Sequence, residues 1–559
     1  MPEHHEEHYK LSEAQELHAR GDRAGAAALC RVILSVTPDA AGALHLLGVI
    51  MSEVGLHSQA LPIFERAIAK GGVEPTLLYN YGMTLRALGN PALAARAFHL
   101  AADGDARDIE AWNALGVTRL TLKQFEPAVT ALQRATDLDP ARSDIRTTLA
   151  IAQIGLGLAQ QRARAFAAAY EVLVDATRNA PGNAQTHASL ANVLRDMGRF
   201  AESQAAFARA LALAPDDSGI IANQALSHLH AGDVDAAIAG YRRAAALAPK
   251  DEPIRSSLAQ ALLMAGRFAE GWAEFEHRLA DPAIAQRLIG MPGKRWCGEN
   301  IAGRTLLLRC EQGLGDTIQF ARYVPILAAS GAKVYLVGPA RLARLMSRVA
   351  GLAGYIADDA LPPSADFYAP LLSVPHLLKE DAIASVAPYL SAEPWLATQW
   401  RKAMDVVAKT PRIGIAWQGN PAYEMDYLRS VPAEHMADLI RGMDARFLIL
   451  QRGEVAQSLR DAGASDLGPD VDRDDAFIDT AAIMANLDLV ITSDTAIAHL
   501  AGALGRPAWV FLPSAPDWRW RLNSADCDWY PSVRLIRQPT PGDWAGVVAQ
   551  ARAMLIAEA

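Results

Sequence analysis

The most constraining feature of this sequence is a period of 34 residues that runs through its first half. The series begins with three glycines that stand 34 positions apart: Gly48, Gly82 and Gly116. Each is followed twelve positions later by alanine and sixteen positions later by a bulky apolar residue: Ala60 and Phe64, Ala94 and Phe98, Ala128 and Leu132. Small residues let two helices approach closely, and bulky ones fill the remaining space. The period therefore predicts stacked helical repeats.

The same frame continues on both sides of these three units. It recurs at further small residues: Ala14, Ala191, Ala225 and Ala259. Ala150 and Ala191 are 41 residues apart, so seven residues are inserted there, and we expect them near Leu158–Arg164, in the turn between two helices. The pattern resembles the tetratricopeptide repeat (TPR), a helix–turn–helix unit of 34 residues. Eight units are predicted over about residues 8–285.

Stacked repeats of this kind form a superhelix whose concave face usually binds extended polypeptide. Four asparagines of the first helices could bond to a peptide backbone, or could be ordinary exposed polar residues: Asn80, Asn113, Asn192 and Asn223. A solenoid used only for self-association is the alternative. We predict a TPR superhelix over residues 1–288 that binds a protein partner.

After Trp296, apolar segments of strand length alternate with helical ones. The strand-like segments form two series, Arg304–Cys310, Lys333–Gly338 and 366–372, then Arg412–Gln418, Arg446–Gln451, Leu487–Thr492 and Pro507–Pro513. This alternation predicts parallel sheets with right-handed crossovers. We therefore expect two Rossmann-like lobes, residues 296–395 and 396–559. Ligands of such sheets bind at the carboxyl ends of the strands, here in the cleft between the lobes.

Composition argues against several classes of partner. The formal net charge is -9 and no lysine or arginine tract occurs, whereas nucleic acids and anionic membranes are bound by clustered positive charge. The four cysteines are far apart, which disfavours a disulfide framework or a cysteine zinc site. No apolar run reaches the ~18 residues of a membrane span, and the first ten residues lack the apolar core of a secretory signal. We expect a cytoplasmic protein.

Five ordered segments of the second half carry a resemblance to one enzyme family. They are Glu311–Pro325, Gly414–Pro421, Leu428–Pro432, Leu487–Pro513 and Pro516–Trp520. With the repeats, they resemble the TPR-linked glycosyltransferases, whose catalytic half is similar to bacterial ADP-heptose:lipopolysaccharide heptosyltransferases. The layout also looks like the flagellin-modifying transferases. The resemblance covers nearly the whole chain. It implies a GT-B fold and an inverting transfer that uses a nucleotide sugar as substrate and needs neither metal nor cofactor.

The loop that contains Gly313, Gly315 and Asp316 follows a predicted strand and opens a helix. Glycines let a ligand approach the backbone, and a helix N-terminus offers N–H groups to an anion. Taken alone, Asp316 also suits a helix N-cap. The resemblance implies that Asp316 is the general base that deprotonates the acceptor hydroxyl, and that the two glycines border the donor.

A second strand-to-helix junction carries Asp494, Thr495, Ala496 and His499. The amides of Thr495 and Ala496 would point toward a phosphate. A lone histidine one turn further along is more often a satisfied core residue. The resemblance implies that all four residues contact the donor nucleotide.

The remaining candidates lie in three other loops: Gln418, Arg429 and Ser430, Gln451, and Arg519 and Arg521. The resemblance implies a basic residue near Arg429 that stabilises the leaving phosphate, although the preceding AYEMDY leaves the register open and allows a solvated arginine. Gln451 is placed for nucleoside contact or simply ends its strand. Arg519 and Arg521 alternate with tryptophans, which suits an anionic sugar or a base, and equally a loop pinned onto its lobe.

The function that the resemblance implies is transfer of a sugar from a nucleotide-activated donor to Ser/Thr hydroxyls of a protein, flagellin, which the TPR array binds. For flagellin, the sugar implied is a nonulosonic acid carried by CMP. One alternative is a lipopolysaccharide or glycan transferase whose array only recruits partners. The other is a non-catalytic TPR scaffold with a degenerate GT-B half. The residues themselves specify neither the sugar nor the base.

Overall fold

The computed structural model describes residues 2–384, 386–404, 410–422, 426–453, 455–522 and 524–558. Eight consecutive helix pairs and one further helix occupy the first half, as the repeat frame predicts. They are α1 (Pro2–Ala19), α2 (Arg23–Val36), α3 (Ala41–Glu53), α4 (His57–Gly71), α5 (Pro75–Ala87), α6 (Pro91–Gly104), α7 (Ile109–Thr121), α8 (Phe125–Leu138), α9 (Ser143–Arg162), α10 (Phe166–Asn179), α11 (Ala184–Asp196), α12 (Phe200–Leu213), α13 (Ser218–His230), α14 (Val234–Leu247), α15 (Glu252–Met264), α16 (Phe268–Phe275) and α17 (Pro282–Leu288).

Small and bulky residues interlock within these pairs. A fully buried residue of the second helix packs on a glycine of the first: Phe64 on Gly48, Phe98 on Gly82 and Leu132 on Gly116. A Cβ added to any of these glycines would lie between 2.4 and 2.9 Å from that side chain. Because real Cβ atoms do not approach so closely, the glycines set the helix spacing within each pair.

The seven extra residues lengthen a helix and do not form a longer turn. Helix α9 has 20 residues, whereas α7 and α11 on either side have 13 each. Leu173 packs on Gly157, so Gly157 is the equivalent of Gly116 and the insertion precedes it. The expectation of an insertion in a turn near Leu158–Arg164 is wrong. This segment contains only Leu, Ala, Gln and Arg, which favour helix, and no residue that would end α9 earlier.

Two parallel sheets follow the helical repeats. The first contains β1 (Lys294–Arg295), β2 (Thr305–Arg309), β3 (Lys333–Gly338), β4 (Leu352–Ala357) and β5 (Phe367–Pro370), in the order β1-β5-β2-β3-β4. The second contains β6 (Arg412–Ala416), β7 (Arg446–Ile449), β8 (Ser465–Asp466), β9 (Leu489–Ser493), β10 (Ala508–Leu512) and β11 (Val533–Arg537), in the order β11-β10-β9-β6-β7-β8. Every pairing between these strands is parallel.

Helices lie in most of the connections between these strands, and one helix follows the last strand. They are α18 (Leu314–Phe320), α19 (Tyr323–Ala329), α20 (Ala343–Met346), α21 (Val374–Leu377), α22 (Pro394–Ala403), α23 (Asp426–Arg429), α24 (Ala433–Ile440), α25 (Gln457–Asp461), α26 (Ile478–Met484), α27 (Ala496–Ala503) and α28 (Trp544–Glu558). Helix α22 crosses the predicted lobe boundary at 395/396. The predicted fold class, a TPR solenoid followed by an α/β region with two parallel sheets, is confirmed.

The chain divides into two units, residues 1–215 and 216–559, so the last two repeats belong with the sheets. Trp272 of α16 is 2% exposed and lies in an aromatic cluster. The cluster contains Phe275 of the same helix and three residues of the α/β region: Phe320, Trp518 and Trp529. Burial of such rings stabilises a core strongly. The last repeat and the α/β region therefore share one hydrophobic core.

Candidate functional site

Loops at the carboxyl ends of five strands, β2, β6, β7, β9 and β10, line one cleft of about 750 Å³ in the second unit. This is the edge at which open parallel sheets bind ligands. The cleft brings together eleven of the predicted residues: Gly313, Gly315, Asp316, Gln418, Arg429, Gln451, Asp494, Thr495, Ala496, His499 and Arg519. Two predicted residues, Ser430 and Arg521, lie outside its lining.

Asp316 is the third residue of α18, and Gly313 is the N-cap of that helix. One carboxylate oxygen of Asp316 accepts a hydrogen bond from the Gly313 N–H at 3.0 Å. The other accepts from Arg519 Nη2 at 2.5 Å. Asp316 thus stabilises the start of its helix and also forms an ion pair across the cleft. Both oxygens of Asp316 are therefore engaged within the protein.

Arg519 is the central cation of the cleft. Its Nε donates to Gln319 Oε1 at 2.7 Å and its Nη1 donates to Asp517 Oδ1 at 2.9 Å, in addition to the bond to Asp316. The guanidinium carbon lies 4.3 Å from the centre of the Trp518 ring. Burial lowers the pKa of Arg519, but the two carboxylates raise it by more. Arg519 therefore stays charged while it links the loops that follow β2 and β10.

The loop after β9 forms the N-terminus of α27. Thr495 is the N-cap, and its hydroxyl accepts from the Ile497 N–H at 3.3 Å. The first N–H groups of a helix have no intrahelical acceptor, so this end of α27 presents donors and positive potential to the cleft. A Cβ on Gly315 would lie 3.4 Å from both Ala496 and His499. Glycine therefore lets the loop after β2 approach α27 closely.

His499 is 5% exposed and is held by aromatic neighbours. Its ring stacks on Trp520 with centroids 5.4 Å apart, and its Nδ1 lies 3.2 Å from the hydroxyl of Tyr530. Burial, together with the positive charges of Arg519 and Arg322, lowers the pKa of His499 well below 6.5. The imidazole is therefore neutral near pH 7 and adds no charge to the cleft.

Asp494 is a buried carboxyl group at the same junction, 7% exposed. Burial, followed by repulsion from Asp517, raises the pKa of Asp494 from 3.8 to about 6. Arg429 and Arg519 oppose this shift. The charge of the cleft consequently changes over a pH range close to neutrality.

Replacement of Asp494 by asparagine should remove a pH-dependent cost of folding. The pKa of Asp494 is higher in the folded chain than in the unfolded chain. The protonated carboxyl group therefore contributes to stability at low pH, and this contribution is lost as pH rises from about 4 to 6. The unfolding free energy of Asp494→Asn relative to wild type should increase by about 2–3 kcal/mol between pH 4 and pH 8. Chemical denaturation at several pH values measures this difference, and a constant difference would contradict the burial argument.

The Arg429 loop is organised by Asp426, which we did not predict. Asp426 is 4% exposed and accepts from Arg429 Nε at 2.9 Å and from Ser430 Oγ at 2.8 Å. The Gly419 N–H donates to Ser430 Oγ at 3.3 Å. Ser430 therefore supports the loop, and Arg429 lines the cleft. Residues 423–425 belong to the AYEMDY sequence whose register was left open, and they lie outside the described residues. The sequence signal for Asp426 is its position one helical turn before Arg429.

Two other predicted residues have clear structural roles. Gln451 lines the cleft, but its Oε1 accepts from the Gln418 N–H at 3.1 Å and so joins the loops after β6 and β7. Arg521 faces the last repeat. Its guanidinium carbon lies 5.3 Å from the centre of the Phe268 ring, and its Nε lies 2.5 Å from Asp528. Arg521 thus pins the loop, which was the alternative to ligand contact.

The last repeat also lines the cleft, through Ser256, Gln260, Phe275 and Arg278. The repeat frame contains no signal for this, since it describes contacts between neighbouring repeats only. These four residues are called the repeat wall below.

Arg278 joins the repeat wall to the loop after β2. Its Nη2 donates to Glu311 Oε1 at 2.8 Å and to Ser373 Oγ at 2.9 Å. The same Glu311 carboxylate accepts from the backbone N–H groups of Leu371 and Leu372, at 2.9 and 3.2 Å. Arg278 and Glu311 are 8% and 2% exposed, so this ion pair is buried.

Two of the four repeat asparagines bond to neighbouring side chains. Asn80 Nδ2 lies 3.0 Å from His45 Nε2, and Asn192 Oδ1 accepts from Arg195 at 3.0 Å. The amide oxygen of Asn113 is buried and has no partner among the described residues. Asn223 is half-buried in α13.

In the described ranges, no three His, Cys, Asp or Glu side chains lie close enough together to hold a metal ion. None of the helices described is both long enough and apolar enough to cross a membrane.

The chain is similar to a curated protein and to several solved structures. Protein FlbA of Caulobacter vibrioides is 28% identical over 409 residues, which cover 67% of each chain. A thermophilic TPR protein from Thermus thermophilus is 30% identical, covers 34% of this chain and 99% of its own, and has a TM-score of 0.24. The C-terminal part of a TPR protein from Cytophaga hutchinsonii is 14% identical, covers 44% and 99%, and has a TM-score of 0.34.

Two family descriptions match the sequence, and both are of the tetratricopeptide repeat. One matches residues 52–109 and 189–252, and the other matches residues 109–142. These ranges contain two of the three glycines from which the repeats were predicted, Gly82 and Gly116. The presence of tetratricopeptide repeats in this chain is therefore confirmed.

Proposed function

We propose that this chain is an inverting GT-B glycosyltransferase that moves a sugar from a nucleotide-activated donor to Ser/Thr hydroxyls of a protein. One observation carries the proposal. A single cleft joins a partly exposed carboxylate, Asp316, to the N-terminus of α27 and to two arginines, Arg429 and Arg519. Transfer of a sugar from a phosphate requires a general base, N–H groups that bind the phosphate, and cations that balance its charge.

The proposed reaction assigns one role to each side of the cleft. Asp316 takes the proton of the acceptor hydroxyl, whose oxygen forms a bond to the anomeric carbon of the sugar. The bond between that carbon and the phosphate oxygen breaks, and its electron pair leaves with the phosphate. The α27 amides and Arg429 stabilise the departing negative charge. No metal or cofactor is assigned to this step.

The ion pair between Asp316 and Arg519 gives this reaction an order. While Arg519 Nη2 donates to one oxygen of Asp316, that oxygen is not open to an acceptor hydroxyl. A donor phosphate in the cleft offers Arg519 another anionic partner. We propose that donor binding draws Arg519 away from Asp316, so that the base is free only when a donor is present.

The acceptor and location follow from the resemblance and the repeats. A TPR array usually binds polypeptide, and the flagellin-modifying transferases combine such an array with such a catalytic half. We therefore propose flagellin as the acceptor and the cytoplasm as the place of reaction, with a nonulosonic acid carried by CMP as the donor.

Two measurements test the proposed function. The melting temperature of the purified chain should rise with one of a panel of nucleotides, namely CMP, UDP, GDP and ADP, because a ligand stabilises the folded state that binds it. Intact-mass spectra of flagellin from wild-type and gene-deletion cells should differ by whole sugar masses. Identical spectra would exclude flagellin as the acceptor, and no thermal shift with any nucleotide would favour a non-catalytic scaffold.

Thr495→Ala and His499→Ala should each weaken binding of the nucleotide that gives the shift by roughly 1–3 kcal/mol, the scale for a hydrogen bond to a charged group. Because the Thr495 hydroxyl also caps α27, Thr495→Ser is the matched control that keeps the cap. For His499, the control is His499→Phe, which keeps a ring to stack on Trp520. Calorimetric titration measures each affinity. Wild-type affinity in both alanine variants would assign these side chains a structural role alone.

A further inference from the structure

The repeat wall gives the cleft a surface whose chemistry differs from that of α27 and the arginines. Ser256 and Gln260 stand one helical turn apart on α15, and both line the cleft. Gln260 is exposed and Ser256 is half-buried, with Gln260 Nε2 3.4 Å from Ser256 Oγ. A hydroxyl and a primary amide together offer donors and acceptors without charge.

The one charged residue of the repeat wall is already engaged. Both terminal nitrogens of Arg278 donate within the protein, Nη1 to Phe275 O and Glu276, and Nη2 to Glu311 and Ser373. With an exposure of only 8%, Arg278 presents little cationic surface to a ligand. The repeat wall is therefore a poor site for phosphate, which is bound best by charged donors.

The repeat wall is fixed relative to the candidate base. Leu263 and Met264 of α15 are buried in the same hydrophobic core as Trp518 and Trp520. A Cβ on Gly266, just after α15, would lie 2.9 Å from the guanidinium of Arg521, so the two segments are in close contact. The loop that carries Arg519 and the helix that carries Gln260 therefore form one packed body, and Arg519 bonds directly to Asp316.

An extended polypeptide matches this uncharged surface. Its backbone presents one N–H donor and one C=O acceptor per residue, and side-chain amides and hydroxyls pair with both. A hydroxyl that reaches Asp316 must enter the cleft with its flanking backbone, while the anionic part of the donor is drawn to α27 and Arg429.

We propose that Ser256 and Gln260 form an acceptor site that binds the peptide backbone beside the modified Ser/Thr residue. This site rests on the proposed function and refines it, because the repeats then contribute to the catalytic cleft itself. Ser256 and Gln260 hold the acceptor segment in the cleft through its backbone and do not contact the donor.

The test compares the double variant Ser256→Ala/Gln260→Ala with wild type and with Ser257→Ala. Ser257 is on the same helix, but its hydroxyl donates to Pro253 O at 2.9 Å and it does not line the cleft. Each full-length chain is expressed in cells that lack the chromosomal gene, and flagellin is sampled over time for intact-mass analysis. In parallel, the purified chains are melted with and without CMP, UDP, GDP and ADP.

The double variant should modify flagellin about tenfold more slowly than wild type, as expected for loss of two neutral hydrogen bonds. Its melting temperature and nucleotide shift should equal those of wild type, and Ser257→Ala should match wild type in every measurement. A wild-type rate of flagellin modification in the double variant would overturn the acceptor site. A nucleotide shift that fell together with that rate would overturn it as well, since the repeat wall would then bind the donor. Failure of wild type both to modify flagellin and to shift with any of the four nucleotides would overturn the proposed function, and this site with it.

Discussion

Asp316→Asn should reduce sugar transfer by about 100- to 10,000-fold, the usual contribution of a general base, while the chain stays folded. Asparagine keeps an oxygen that can accept from the Gly313 N–H, so the start of α18 is preserved. It cannot take a proton from a hydroxyl near pH 7. The rate at which flagellin gains sugar mass measures transfer, and the nucleotide-induced shift in melting temperature measures donor binding.

Asp517→Asn is the matched control for this prediction. Asp517 also accepts from Arg519, at 2.9 Å, so its replacement removes a carboxylate from the same guanidinium but leaves Asp316 intact. Its effect on transfer should be much smaller than that of Asp316→Asn. If the two variants lost activity equally, the role of Asp316 would be to hold Arg519, and the base would have to be sought elsewhere. Normal transfer by Asp316→Asn would reduce the residue to a helix-stabilising group.

The ion pair that complicates this role could not be predicted from the sequence. Asp316 and Arg519 are 203 positions apart, and nothing in either local pattern specifies the other. Each residue was predicted because it follows a strand of a parallel sheet, and such strands end at one edge. That rule brings the residues to one cleft. It does not specify which side chains pair within the cleft.

The position of a strand within its sheet, interior or edge, explains which strands could be predicted. Interior strands of a parallel sheet are covered on both faces and read as continuous apolar runs. Each of the seven predicted segments contains or overlaps a strand: β2, β3, β5, β6, β7, β9 and β10. The four strands that we did not predict, β1, β4, β8 and β11, are the four sheet edges. An edge strand is paired on one side only and needs a less regular apolar pattern.

The repeats show where a local pattern misleads. The 34-residue frame gave the correct number of helix pairs, because each small residue packs against a bulky residue sixteen positions later. Ala150 fitted the frame by spacing, but Leu173 packs on Gly157. A rule based on the packed pair, small residue and bulky residue together, places the insertion correctly. The repeat frame could not predict the repeat wall, because Ser256 and Gln260 face the cleft and not a neighbouring repeat.

Breaking the buried ion pair of Arg278 and Glu311 should measure how much it contributes to holding the last repeat on the α/β region. Arg278→Ala leaves the Glu311 carboxylate buried without its cation, which should cost about 3–5 kcal/mol of unfolding free energy. Unfolding is followed by tryptophan fluorescence. Ten of the eleven tryptophans lie in residues 216–559, so the signal reports mainly on the unit that holds this pair.

A second substitution and a pH series separate loss of the ion pair from loss of packing. Burial already raises the pKa of Glu311, and Arg278 opposes that rise. Without Arg278 the pKa should rise further, so the cost of Arg278→Ala should grow as pH increases from 5 to 8. Arg278→Ala/Glu311→Gln removes the stranded charge and keeps an acceptor for the Leu371 N–H. It should therefore recover part of the lost stability and show no such pH dependence. Equal stability of the single and double variants at every pH would mean that Arg278 acts through packing alone, and that the charge of Glu311 does not hold the loop after β2 to the last repeat.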